Sequence, residues 1–178
     1  MAKFSPAFRL LRDKAGVASV EFAFVAGVLM IALLNGLEFA RWSFEKMETA
    51  NAVHSATQAV WTACDTNHLP AKTNCTGLTN AITNGLKSTS LGTAVTLSTT
   101  YPTEAYYCVN GSNALQQVAV YTAAKPSDCS AAGDATRVPG DYVAITATYA
   151  YTPLFGSPLT FGNLLPSTIT ASGFIRLQ

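Results

Sequence analysis

From Val17 to Leu37 the chain runs for 21 residues with one ionisable side chain, Glu21. Coiled as an α-helix, at about 1.5 Å rise per residue, this run covers roughly the 30 Å hydrocarbon core of a bilayer. Such a segment sits in lipid or among other apolar helices. A carboxylate forced to the centre of that layer costs about 2.5–3.5 kcal/mol, so Glu21 needs a partner or a way out. Two readings follow. Either Glu21 meets an amine inside the apolar layer, or the segment is an ordinary single-pass anchor whose carboxylate snorkels to the interface.

A cleaved secretory signal does not fit. Its apolar region is about 7–15 residues long and ends in small residues at the cut, whereas this run is longer and its first plausible break, at Ala40, places Glu38 where a small residue belongs. The helix therefore stays in the mature protein. Lys3, Arg9, Arg12 and Lys14 precede the run, and only Arg41 and Lys46 follow closely. The cytoplasmic flank is the one richer in Lys and Arg, so the N-terminus is expected inside and the bulk of the chain in the periplasm or beyond.

Cysteine usage agrees with export. Cys64, Cys75, Cys108 and Cys129 all lie beyond the apolar run, and an even number in an exported domain reads as two disulfides. Three connectivities are possible; pairing neighbours along the chain favours Cys64 with Cys75 and Cys108 with Cys129. A zinc site competes poorly, because no C-x-x-C occurs and His54 and His68 form no ligand pair. With a formal net charge of +1 and 12% charged residues, the chain has no basic surplus for nucleic acid.

Beyond Leu37 the helix is expected to continue to about Ala63. Phe39, Trp42, Met47, Ala50, Val53, Thr57 and Val60 recur every three to five residues with polar residues between them, an amphipathic stripe. After a loop, Leu78, Ile82 and Leu86 predict a short second helix, with a disulfide-tied loop as the alternative and Gly85 weighing against the helix. The period then changes to two. Strands are predicted over 95–101, 106–109, 116–121, 142–151 and 169–177, with Val143, Ile145, Ala147, Tyr149 and Tyr151 on one face. The expected fold is α+β: a long N-terminal helix whose second half packs against a small antiparallel sheet. Residues 1–16 form a basic leader, 17–63 the helix, membrane-spanning to about 40, and 64–178 an exported globular domain.

The stretch Gly16-Val17-Ala18-Ser19-Val20-Glu21-Phe22 resembles the processing site of type IV prepilins and pseudopilins. The resemblance implies a peptidase cut between Gly16 and Val17, methylation of the new N-terminus, and Glu21, the fifth mature residue, steering subunits into a helical filament. Gly36-Leu37-Glu38-Phe39-Ala40-Arg41 is similar to the second element of TadE-like minor pseudopilins of the tight-adherence (Tad/Flp, type IVc) pilus. Thr168 to Arg176 resembles the end of such proteins. Gly27 stands where many members carry Pro. The assembly residues so implied are Glu21, Phe22, Glu38 and Arg41; from the residues alone, Glu38 and Arg41 also read as an i, i+3 pair at the membrane surface. The implied partners are prepilin peptidase, other pilin or pseudopilin subunits, the inner-membrane assembly platform and lipid.

Catalytic motifs are missing: there is no G-x-S-x-G elbow, phosphate-binding glycine loop or H-E-x-x-H. Neither an enzyme nor a cofactor is expected. Asp128, Asp134 and Asp141 in one loop-rich region offer oxygen ligands for calcium but lack EF-hand spacing, so solvated loop carboxylates are the expectation. Two functional classes remain. One is a pilus assembly subunit serving adherence, secretion or DNA uptake; the other is a membrane-anchored exported binding domain or adhesin that never polymerises.

Overall fold

The computed structural model describes residues 14–64, 66–156 and 161–178; nearly all of the basic leader lies outside them. Helix α1, Lys14–Ala63, runs for 50 residues without a proline. After a 3-10 turn at Thr66–His68 come α2, Ala71–Asn74, and α3, Leu78–Leu86. The strands are β1, Val95–Leu97; β2, Thr103–Val109; β3, Leu115–Val120; β4, Gly140–Ala150; and β5, Thr168–Arg176. The architecture is α+β, with a long apolar N-terminal helix and an antiparallel five-stranded sheet.

By contacts the chain divides into two compact units, Met1–Trp42 with Pro153–Leu165, and Ser43–Thr152 with Pro166–Gln178. This division differs from the chain-order partition. The 153–165 connection groups with the first part of α1 rather than with the sheet that precedes and follows it.

In the second unit, β4 is the organising strand. β5 pairs with it from Tyr142↔Arg176 to Ala150↔Thr168, and on its other edge β1 and β2 lie end to end. The strand predicted over 95–101 is thereby broken. Six residues separate Leu97 from Thr103 where three separate their partners Ala147 and Ala144, so the surplus chain leaves the ladder in a turn closed by Tyr101 N–H donating to Ser98 O. β3 completes the sheet beside β2, with a bulge between Tyr106 and Tyr107.

The core lies between one face of this sheet and the helices. Val143, Ile145 and Ala147 meet Ala52, Val53, Ala56 and Val60 of α1, and Leu78, Ile82 and Leu86 of α3. Burying each large aliphatic side chain contributes about 1.5–3 kcal/mol. The buried face of α1 follows the predicted stripe at Val53, Thr57 and Val60 and departs from it earlier: Met47 and Ala50 are exposed, while Thr49, Ala52 and Ala56 are buried. Close approach explains the choice of small residues. A Cβ on Gly173 would lie 2.8 Å from Val53 Cγ1, and one on Gly85 would lie 2.4 Å from Ala56 Cα. Larger residues such as Phe44, Met47 and Trp61 face outward.

Disulfides join Cys64 to Cys75 and Cys108 to Cys129. The first ties the end of α1 to the end of α2; the second ties β2 to the 3-10 turn before Gly133. Glu104 of β2 holds the α2 segment by a different means. Its two carboxylate oxygens accept from the Ala71 and Lys72 backbone N–H groups, both at 2.6 Å, satisfying amides that a helix start leaves open.

Candidate functional site

The apolar part of α1 is bare. None of its most apolar 18-residue window is buried, and Val17, Val20, Phe22, Phe24, Val28, Leu29 and Leu33 are all more than half exposed. Left in water, these side chains forgo about 1.5–3 kcal/mol each, tens of kcal/mol together. An aqueous monomer cannot carry such a surface; lipid or neighbouring apolar helices must cover it. By length and composition the helix is able to cross a membrane.

Gly16 and Val17 stand at the head of this surface. Ser19 Oγ donates to Gly16 O at 2.9 Å, and a Cβ added at Gly16 would meet nothing within 4 Å. Glycine is therefore not required there by the chain's own packing. Glu21 is exposed, one turn beyond Val17 on the same helix face, and Phe22 beside it is 75% exposed. The structure thus leaves both residues free to meet something outside the chain.

Glu38 is differently placed. It is fully buried, and its carboxylate accepts from the backbone N–H of Leu154, at 3.2 Å to each oxygen, and of Phe155, also at 3.2 Å. Its carboxylate thus also locks a segment 116 residues away. Gly162 makes the lock possible, since a Cβ there would lie 2.9 Å from Pro153 Cβ, 3.2 Å from Phe155 O and 3.5 Å from Glu38 Cδ. Arg41 is half-buried, and the Phe39 and Trp42 rings stand 6.1 Å apart on the same stretch of α1. Sequence reasoning missed the loop side of this site. Its signals were a charge-free run from Thr152 to Ile175 and a glycine inside it.

The three aspartates considered for calcium part company. Asp128 and Asp134 are loop carboxylates held below their ordinary range by local bonds, from Ser130 and from Thr136 respectively. Asp141 is instead buried on β4, a correction to its expected solvation, and the three form no metal-binding group among the described residues. The β4 strand carries Asp141 into the sheet next to Glu104, so burial first, then the Glu104 charge, push its carboxyl from an ordinary 3.8 up to about 6, against the pull of Lys125. Its Oδ1 has no hydrogen-bond partner.

This placement predicts an inverted pH dependence. A carboxyl whose pKa is raised on folding stabilises the fold fully below its unfolded value, and the contribution is lost as pH rises through the folded value. Between about pH 4 and 6 the second unit should lose about 2 kcal/mol as pH increases. The lowered carboxylates, Glu48 among them, act in the opposite sense and at the acid end of this range. Urea titrations of the full chain in detergent at pH 5 and pH 7 check the sign, and Asp141→Asn should flatten the profile.

Taken together, a bare apolar N-terminal half-helix long enough to cross a membrane and a distal half-helix packed on an antiparallel sheet define an α+β protein with a candidate membrane anchor. Residues 16–58 match the family model described as TadE-like protein. No curated protein and no solved structure matches the chain.

Proposed function

We propose that the chain is a minor pilin or pseudopilin subunit that assembles with a tight-adherence (type IVc) pilus, rather than an enzyme. The observation that carries this reading is the coincidence of the TadE-like segment with a bare apolar helix headed by Gly16, Val17 and Glu21. The leader stays in the cytoplasm, the helix crosses the inner membrane and the disulfide-bonded domain lies in the periplasm. Prepilin peptidase removes residues 1–16. The apolar face of α1 then passes from lipid to the helices of neighbouring subunits, with the assembly platform and other pilins as partners. Adherence, secretion and DNA uptake are the processes such a pilus serves.

The test is Gly16→Phe. Since space around Gly16 is open, the substitution should leave insertion and the folded domain unchanged while abolishing processing in cells that contain the peptidase. Mature and uncut forms separate on a gel by the mass of residues 1–16. A wild-type chain that also stays uncut contradicts the pilin reading and favours a permanently anchored exported binding domain.

A further inference from the structure

The segment Pro153–Leu165 follows β4 and carries no charged residue, yet holds Leu154, Phe155, Leu159, Phe161, Leu164 and Leu165. An uncharged, leucine-rich connection is a poor solvent-facing loop. Its described part is clamped onto α1 by Glu38, whose buried carboxylate holds the Leu154 and Phe155 amides, and Gly162 leaves room for this, since a Cβ there would crowd Pro153, Phe155 and Glu38. Clamped so, Leu154 and Leu164 do not turn inward: they are 63% and 77% exposed.

The clamp also sets their level along the helix. Leu164 and Leu165 line a crevice of about 450 Å³ with Asn35, Gly36 and Phe39 of α1. Those helix residues belong to the turn where the apolar run ends and its flanking charges begin. Phe39 is exposed there too, next to Trp42, as aromatic residues are at the border of a bilayer. The exposed leucines are thus continuous with the apolar surface of the span, at its outer rim.

We propose that Leu154 and Leu164 form a second membrane contact, entering the leaflet from which α1 emerges. The inference rests on the reading that α1 spans a bilayer. A neighbouring subunit is a poorer occupant than lipid, because the segment adjoins the end of the apolar run and offers no charge for a protein partner to recognise. Glu38 is then a positioning residue: it fixes the loop's height against the helix. A subunit gripping the bilayer at two places resists both tilt and withdrawal more than a lone helix does.

The experiment uses the full chain, carrying a nitrobenzoxadiazole probe at one introduced cysteine, Leu154→Cys or Leu164→Cys, in phosphatidylethanolamine and phosphatidylglycerol vesicles at low protein density. Val28→Cys in the span and Val138→Cys in the exported domain, itself exposed, are the references. Lipids brominated high on the acyl chain should cut emission at Leu154 and Leu164 by about twofold or more, while Val138 is unaffected and Val28 responds to deeper bromines. If Leu154 and Leu164 behave as Val138 does while Val28 is quenched, the second contact is overturned and the span stands. An unquenched Val28 overturns the spanning reading itself. Protection of the loop probes that appears only as protein density rises assigns the surface to a second copy and also overturns the lipid contact.

Discussion

Glu21→Ala is expected to insert in the membrane as well as wild type, or slightly better, and to lose pilus assembly by about a hundredfold or more. Removing a lone carboxylate from the apolar run lowers the cost of insertion. In an assembled bundle the same change strands the ammonium of a neighbour's Val17, and breaking one half of a buried ion pair costs about 3–5 kcal/mol. At 1.4 kcal/mol per tenfold, that is about two to three and a half decades in association. The exposed position of Glu21, one turn from Val17 and free of any fold-stabilising duty visible in the structure, makes the separation of effects clean. Recovered pilus, or crosslinked subunit complex, measured at matched membrane levels reads the result. Wild-type recovery would place Glu21 at the membrane border as a snorkelling carboxylate and favour the unpolymerised domain.

Gly85→Val should unfold the helical layer that covers the sheet. Gly85 lies in α3 directly over α1, where an added Cβ would sit 2.4 Å from Ala56 Cα and 2.7 Å from Ala56 N. Both are backbone atoms and cannot rotate away, so the helices must separate and Ile82, Val53 and Ala56 lose contact with the sheet. The expected loss is about 3 kcal/mol or more, at the upper end of overpacking effects. Gly77→Ala is the control: the nearest atom to its added Cβ is Ala63 Cβ at 3.9 Å, so its effect should stay within about 0.5 kcal/mol. Denaturant midpoints of the full chain in detergent distinguish the two, and equal midpoints would contradict the packing described.

Features that depend on local pattern were legible in the sequence. The apolar run with Glu21, the alternation that buries Val143, Ile145 and Ala147, and the four-residue spacing of Leu78, Ile82 and Leu86 are each written within one short stretch of chain. What depended on distant partners was not. Gly85 reads locally as a weak point in a helix, and only the presence of Ala56 beneath it shows why a side chain is forbidden. The three-to-five-residue recurrence on α1 runs through Met47 and Ala50, yet tight packing buries Thr49, Ala52 and Ala56. Glu104 and Glu38 look like surface carboxylates in sequence; their backbone partners lie 33 and 116 residues away. A buried acid reveals itself only when the amides that satisfy it are in place.

The central claim is that this chain is processed and assembled as a pilin, and the intact mass of the protein extracted from its native membrane tests it most directly. The account predicts a chain that begins at Val17, lighter than the full sequence by residues 1–16 and heavier by one methyl group, with both disulfides present. A full-length mass in cells that assemble the pilus would contradict it.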